Sequence, residues 1–273
     1  MSESKNFVSI VLLNNFDSDM DCIQLNDNLF VRRLDETDRK RLMNLSPVLK
    51  NDYRLQTVLS ETWFVIEKRW QPDEFLSWDE CSPYANDVVL ALKLLKSGGV
   101  NAPTAFLLDS TNKSFGVSNP APRIDLGESY FLEEQEVSTF VELWKKLRSV
   151  KKEKPHLEFP LDQFTKAFEE EHTEYIIVDF MTAFESLVFY GRDKTPRPIG
   201  RAIGIEMGKL LGKNKEGRSE IEQDLETAYQ LRNAVVHGHL RKRLQKYDAE
   251  QGTELIFKVE DYLRFALRKL LEE

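Results

Sequence analysis

An arginine and a histidine five positions apart are the residues in this sequence best suited to chemistry. They lie in the segment Leu231-Arg232-Asn233-Ala234-Val235-Val236-His237-Gly238. A guanidinium keeps its charge in a protein, and burying it without a partner is very costly. Arg232 must therefore meet a carboxylate, a phosphate or a cleft at an interface.

The surrounding pattern predicts a helix. At 100° per residue, one face carries Ile221, Leu225, Ala228, Tyr229, Val235 and Val236, with Arg232 in its middle. Gly238 suits the left-handed residue that closes a helix. His237 then lies in the last turn, where the helix dipole favours a protonated imidazole.

Arg232 and His237 lie about 140° apart around such a helix, so they do not share a face. Asn233 and His237, four residues apart, do. A single site that uses both Arg232 and His237 would form most easily between two antiparallel copies of the helix. The spacing therefore predicts a site at a dimer interface.

A purely structural interpretation of the same residues remains open. Arg232 can form an internal salt bridge, with Glu185 or Glu222 as its partner. A terminal histidine before glycine is often no more than a favourable helix end. These residues alone do not separate the two interpretations.

The pattern along the chain predicts an α+β N-terminal domain (1–150), a linker (151–159) and a helical bundle (160–273). The first domain carries predicted strands at 7–13, 22–25, 29–34 and 104–108, and helices at 35–45, 82–95 and 133–148. Residues 53–70 alternate as a strand does, although a helix also fits, and 109–127 are typical of a loop. In the bundle we expect helices at 161–190 (with a break near 172–173), 199–211, 219–237 and 253–271. Gly204, Gly208 and Gly212 indicate close packing between helices.

Composition limits the function classes. The net charge is −8, of which −6 falls in residues 1–150 and −2 in the remainder, which argues against a broad nucleic-acid surface but not against a local basic cleft. No run is long and apolar enough for a membrane span, and the first residues lack a secretory signal pattern. Cys22 and Cys81 are too few for a disulfide framework or a cysteine zinc site. We expect a cytoplasmic protein without membrane association.

The motif and its surroundings are similar to those of HEPN domains (higher eukaryotes and prokaryotes nucleotide-binding), in particular of the Apea-like branch. The resemblance covers about residues 160–273. It rests on Arg232, the polar Asn233 and His237, on the flanking segments 229–231 and Gly238, on the earlier segment 180–187 and on Arg201-Ala202-Ile203. It gains specificity from the place of the motif on the third helix of a bundle.

This resemblance implies a homodimer in which two motif helices meet, and a metal-independent endoribonuclease of toxin or phage-defence type. Arg232 would bind the scissile phosphate, His237 would act as general acid and base, and Asn233 would support either group. Glu185 would hold Arg232. The alternative is a catalytically silent HEPN module that serves as a dimeric scaffold or binds a nucleotide or a protein.

The expected ligand is RNA or a nucleotide. Basic residues predicted to steer RNA are Arg201, Arg241, Lys242, Arg243 and Lys246. We expect no cofactor and no metal, because His237 and His239 lack a visible third ligand. The N-terminal domain is expected to sense a trigger or a protein partner.

Overall fold

The computed structural model describes residues 7–43, 53–71, 83–109, 114–118, 129–170, 172–193, 196–238 and 249–273. The chain divides into two compact units, Met1–Lys145 and Lys146–Glu273. The first contains both strands and helices and the second is helical, so the predicted order of an α+β part followed by a helical part is confirmed.

The first unit is built on a six-stranded antiparallel sheet. Its strands are β1 (Phe7–Asn14), β3 (Cys22–Asn26), β4 (Leu29–Arg33), β5 (Phe64–Trp70), β6 (Asn101–Asp109) and β7 (Ser114–Ser118), and their spatial order is β3-β4-β5-β1-β6-β7. The remaining strands, β2 (Phe16–Ser18) and β8 (Tyr130–Leu132), form a separate parallel pair.

Helices cover both faces of this sheet. In chain order, the first helices are α1 (Glu36–Met43), α2 (Tyr53–Glu61) and α3 (Pro83–Leu95). Helix α4 (Val137–Glu153) follows strand β8. Leu42 of α1 and Leu59 of α2 pack with Ile10 and Leu12 of β1. On the other face, the Ser9 hydroxyl hydrogen-bonds the Tyr84 hydroxyl of α3 at 2.7 Å. The residues of β1 alternate between these two layers, which explains why most of this strand is buried.

Three predictions for the first 160 residues need correction. Residues 53–70 are not one strand, because helix α2 precedes strand β5. The segment 109–127, predicted as a loop, contains strand β7, and its residues 110–113 and 119–127 lie outside the described residues. Residues 151–159 are not an unpatterned linker: they comprise the end of α4, a 3₁₀ turn (Pro155–Leu157) and the start of the next helix. Charged residues on an exposed helix face produced the appearance of a linker.

Within its described residues, the second unit contains α5 (Glu158–Ala167), α6 (Thr173–Phe189), α7 (Ile199–Leu211), α8 (Lys215–Val236) and α9 (Ala249–Glu272). The predicted break near 172–173 is confirmed, because it separates α5 from α6. Fully buried side chains from α5, α6 and α9, among them Phe164, Phe180 and Leu263, fill the core. Arg264 is buried there as well, paired with Glu260 one turn earlier on α9. No helix formed by the described residues is long and apolar enough to cross a membrane.

Glycines let α7 and α8 approach one another closely. A Cβ added at Gly204 would lie 2.8 Å from the backbone oxygen of Glu222, and one at Gly200 would lie 2.7 Å from the Cβ of Tyr229. Both distances are shorter than Cβ atoms tolerate. The prediction that the spaced glycines serve helix packing is therefore confirmed, and this contact determines where the residues of α8 lie.

Both ends of α8 are stabilised by local features of the sequence. At its start, the side chain of Asn214 accepts a hydrogen bond of 2.8 Å from the backbone nitrogen of Gly217, as a helix N-cap does. At its end, His237 is the C-cap residue and Gly238 has a φ of +70°. This left-handed conformation confirms the prediction that Gly238 closes the helix.

We predict that Gly204→Ala destabilises the protein. The new methyl group would overlap the backbone of α8, which costs about 1–3 kcal/mol and outweighs the gain of up to about 1 kcal/mol in helix propensity. The free energy of unfolding from urea titration measures the effect.

Gly252→Ala is the matched control, because Gly252 lies within α9 and a Cβ there meets no atom of the described residues within 4 Å. It should stabilise the protein by about 0.5–1 kcal/mol. Equal stabilisation by both substitutions would contradict the close contact between α7 and α8.

Candidate functional site

The candidate site lies at the C-terminal end of α8, where this helix meets α6 and the start of α7. Helices α7 and α8 run antiparallel: Gly208 lies against Arg218, near the start of α8, whereas Gly200 lies against Tyr229, near its end. The first turn of α7 is therefore beside the turn of α8 that carries Arg232.

Arg232 is held in a half-buried cluster. Its Nη2 lies 3.5 Å from Oε1 of Glu185 on α6, and the two side chains are 22% and 29% exposed. Its Nη1 donates a hydrogen bond of 3.2 Å to Oδ1 of Asn233. Its Nε is buried and finds no hydrogen-bond partner among the described residues. The guanidinium thus has a nearby countercharge, but its hydrogen-bonding capacity is not filled by the described part of the chain.

Glu185, and not Glu222, is the carboxylate that Arg232 meets. Glu222 faces α7, where its backbone lies against Gly204. The Oε1 atom of Glu185 is buried and accepts no hydrogen bond from the described residues, although Arg232 approaches it. The ion pair therefore lacks the two parallel hydrogen bonds that make arginine–carboxylate pairs strong.

Tyr229 completes the cluster. The Arg232 guanidinium carbon lies 5.6 Å from the centroid of the Tyr229 ring, within the range of a cation–π contact. Burial raises the pKa of the Tyr229 phenol above its ordinary value, and the charge of Glu185 raises it further. The Glu185 carboxylate is therefore close enough for its charge to affect the ionisation of the phenol.

His237 lies apart from this cluster. Its side chain is exposed, and its backbone nitrogen donates to the backbone oxygen of Asn233 at 3.0 Å. In the described part of the chain, no hydrogen bond or ion pair joins the His237 side chain to Arg232, Asn233 or Glu185. The structure brings Arg232, Asn233 and Glu185 together and leaves His237 in solvent at the helix end.

The apolar face predicted for α8 ends earlier than the pattern indicated. Ile221, Leu225 and Ala228 are buried as expected, but Val236 is 51% exposed. The physical reason is that α8 ends at this residue, so the described helices leave its last turn partly uncovered. An exposed apolar side chain therefore adjoins His237.

The basic residues predicted to steer RNA are only partly described. Arg201 is exposed on the first turn of α7, beside the candidate site. Arg197, just before this helix, is also exposed and is close enough for its charge to counteract the rise in the Tyr229 pKa. Arg241, Lys242, Arg243 and Lys246 lie outside the described residues.

Other kinds of site find little support. Among the described residues, no cluster of three or more histidine, cysteine, aspartate or glutamate side chains could hold a metal ion. An open hollow of about 560 Å³ lies in the first unit, lined by Asp19, Phe131, Glu133, Glu134 and Gln135. It contains none of the predicted site residues.

No protein-family model matches the chain, and no curated protein or solved structure matches it.

Sequence reasoning gave no role to Tyr229. The pattern places it on the apolar face of the helix, and its position three residues before Arg232 also puts it on the same side of α8, one turn earlier. This spacing was sufficient to predict that the two side chains are neighbours. The contact of its ring with Gly200 depends on how α7 and α8 pack, so the sequence did not reveal it.

We predict that Glu185→Gln lowers the pKa of Tyr229. The substitution removes the negative charge that disfavours tyrosinate, so the phenol should ionise at lower pH. Alkaline titration of tyrosinate absorbance, compared with the same variant that also carries Tyr229→Phe, isolates this one phenol.

Glu222→Gln is the control, because Glu222 faces α7. It should leave the Tyr229 titration unchanged. Circular dichroism recorded alongside restricts the comparison to folded protein. An unchanged or higher midpoint in Glu185→Gln would contradict the described cluster.

Proposed function

We propose that this protein is a metal-independent endoribonuclease of toxin or phage-defence type, acting as a homodimer with a composite Arg232/His237 site in a HEPN-like domain. The observation that carries the proposal is the state of Arg232. Its guanidinium is half-buried next to a carboxylate, and its Nε has no partner among the described residues. A group held in this way is ready to bind an anion.

The residue types suit RNA cleavage. In this reaction the ribose 2′-hydroxyl attacks the neighbouring phosphate, and the bond from phosphorus to the 5′-oxygen breaks. The attacking hydroxyl loses a proton and the leaving oxygen gains one, and an exposed imidazole can perform such transfers near neutral pH. Arg232 would pair with the phosphate oxygens as negative charge gathers on them. The products would be a 2′,3′-cyclic phosphate and a free 5′-hydroxyl.

The composite site is proposed because one chain separates its two reactive groups. Arg232 faces α6 and the start of α7, whereas His237 is exposed at the end of α8. An antiparallel second α8 would bring its own His237 towards Arg232. Val236, which is 51% exposed and adjoins His237, offers apolar surface for such a contact.

Asn233 and Glu185 have supporting roles in this proposal. Asn233 accepts a hydrogen bond from Arg232 and thereby limits its rotation. Glu185 compensates the buried charge when no substrate is bound. Arg201 is exposed beside the site and is assigned to the RNA backbone. The acidic first unit is assigned the sensing or regulatory role, because its net charge repels RNA.

A catalytically silent module is the second candidate, and one observation favours it. Arg232 already has a carboxylate partner within the chain, as an arginine with a purely structural role would. In that case the HEPN-like unit would serve as a dimeric scaffold or bind a nucleotide or a protein. The cleavage experiment separates the two functions.

We predict that the full-length chain cleaves single-stranded RNA in the presence of EDTA. His237→Gln should lower the rate by about 10²–10⁴-fold, the usual contribution of a general acid or base. Arg232→Lys should lower it by about 10²–10³-fold, since lysine keeps the charge but loses the planar fork. Gel analysis of labelled RNA of defined sequence gives the rates and identifies the cyclic phosphate.

His172→Gln and Arg268→Lys are matched controls: an exposed histidine before the first residue of α6 and a half-buried arginine on α9. Neither should change the rate. A substrate with one 2′-deoxy sugar should resist cleavage at that position. Cleavage that survives both His237→Gln and Arg232→Lys would refute the site, and its absence in the wild type would favour the scaffold.

We predict that mixing the two inactive variants restores activity. In a dimer with composite sites, a heterodimer of Arg232→Lys and His237→Gln chains carries one site with both native residues. Random mixing of two variants therefore yields about a quarter of the wild-type activity. If both residues of each site come from the same chain, the mixture stays inactive.

Val236→Glu should abolish this restoration by weakening the dimer, as light scattering at micromolar concentrations would show. Phe265→Glu is its control, since Phe265 on α9 has nearly the same exposure, 50%. A wild-type chain that is monomeric at all concentrations would contradict the composite site.

A further inference from the structure

We infer that Phe189 and Arg192 form a base-stacking subsite beside Arg232, which takes one unpaired nucleobase of a single-stranded RNA. The inference rests on the proposed function in one respect, namely that RNA is the ligand of Arg232. Phe189 supplies an aromatic face and Arg192 a guanidinium plane, the two kinds of surface on which proteins stack unpaired RNA bases. Neither residue takes part in the cleavage chemistry proposed above.

Phe189 lies on the side of α6 that carries Glu185. It is the last residue of the helix and follows Glu185 by four positions. Residues four apart on a helix share a face, about 6 Å from one another along the axis, and both of these are half-buried. On that side Glu185 meets Arg232, with 3.5 Å between Oε1 and Nη2. The Phe189 side chain therefore follows, by one helical turn, the residue that contacts the proposed phosphate-binding group.

The path of the chain also brings the end of α6 to this site. The segment 190–198 connects Phe189 to the start of α7, where Gly200 lies against Tyr229 of α8. Tyr229 precedes Arg232 by three residues, which is less than one helical turn. The last turn of α6, the first turn of α7 and the turn of α8 that carries Arg232 thus lie at the same end of the bundle.

The Arg192 guanidinium lies over the Phe189 ring without being held by a carboxylate. Its carbon is 5.8 Å from the ring centroid, within the range of a cation–π contact. The side chain is exposed and forms no ion pair with the described residues. By contrast, Arg69, which lies 4.7 Å from the Phe30 ring, is also bound by Glu67 at 2.7 Å. Arg192 can therefore leave the ring at little cost.

An unpaired base would take the place of the guanidinium on the Phe189 ring, and Arg192 would then cover the outer face of that base. Every base has a flat π-face, so stacking of this kind tolerates any sequence. A base within a duplex is stacked on its neighbours and cannot enter such a subsite. The subsite therefore selects RNA in which a base next to the bound phosphate is unpaired.

The test is a cycle between one base of the RNA and the Phe189 ring. The ligand is a short, end-labelled single-stranded RNA with 2′-fluoro sugars, which lack the attacking hydroxyl and prevent cleavage. Each position in turn is made abasic, and fluorescence anisotropy gives the Kd for the full-length wild type and for Phe189→Leu. Phe189→Tyr keeps an aromatic face. Phe30→Leu is the matched control, because Phe30 is a half-buried phenylalanine under an arginine in the first unit.

We expect one position at which loss of the base raises the Kd for the wild type by about 5- to 50-fold, the effect of losing one stacked base. In Phe189→Leu the same loss should change the Kd by less than about twofold, because the partner of the base is already absent. Phe189→Tyr and Phe30→Leu should retain the penalty, and Arg192→Gln should reduce it. Arg232→Lys should weaken binding of all the oligonucleotides alike and retain the penalty. The thermal midpoint of each variant verifies that it is folded.

A wild type that shows no abasic penalty, or a penalty of equal size in Phe189→Leu, would overturn the inference. So would loss of the penalty in Phe30→Leu, or a wild type that binds none of the oligonucleotides. A wild type that binds them but cleaves no RNA defeats the proposed nuclease, and the cycle still decides whether Phe189 stacks a base. Cleavage by the wild type together with a negative cycle defeats only the subsite.

Discussion

The close approach of α7 to α8 is the constraint on which the candidate site depends. Gly200 and Gly204 permit it, because any side chain there would overlap Tyr229 or the backbone of Glu222. The approach confines the Tyr229 ring, and the ring in turn lies against the guanidinium of Arg232. The packing of α7 on α8 therefore determines where the guanidinium of Arg232 lies. Larger side chains at these two glycines would leave the motif on α8 unchanged in sequence but would displace Tyr229 and, with it, Arg232.

Compensation of the Arg232 charge explains the remaining contacts. A half-buried guanidinium without a countercharge would destabilise the fold, whereas a tight bidentate pair with Glu185 would leave little capacity for a ligand. The observed separation of 3.5 Å, with an unpartnered Nε among the described residues, lies between these extremes. Under the proposed function, such a pair would stabilise Arg232 before substrate binds and could be replaced by a phosphate, which offers two acceptor oxygens. Under the proposed function, Glu185 is thus a countercharge that the substrate replaces.

The sequence predicted those parts of the fold that follow from local periodicity. The hairpin formed by β3 and β4, the break between α5 and α6, the glycine contact and the end of α8 at Gly238 were all recognisable, because each depends on neighbours in the chain. Residues 53–70 were misjudged, since a short helix followed by a buried strand mimics one alternating segment. The partner of Arg232 was narrowed to Glu185 or Glu222, and only the packing of α6 and α7 on α8 decides between them. Tyr229 was missed for the same reason: its contact with Gly200 depends on how α7 packs on α8.

The geometry of one helix also explains why association matters to the proposed chemistry. Arg232 points towards α6 within its own unit, and His237 follows the final turn of α8, where its side chain is exposed. Rotating the arginine outward would break its contacts with Glu185 and Tyr229, and rotating the histidine inward would require the helix to continue past Gly238, whose left-handed conformation ends it. Either adjustment would change the conformation that the described residues adopt in a single chain. In the proposed enzyme a second copy would supply the missing group without disturbing either residue, so activity would depend on dimer concentration and the isolated chain would remain inert.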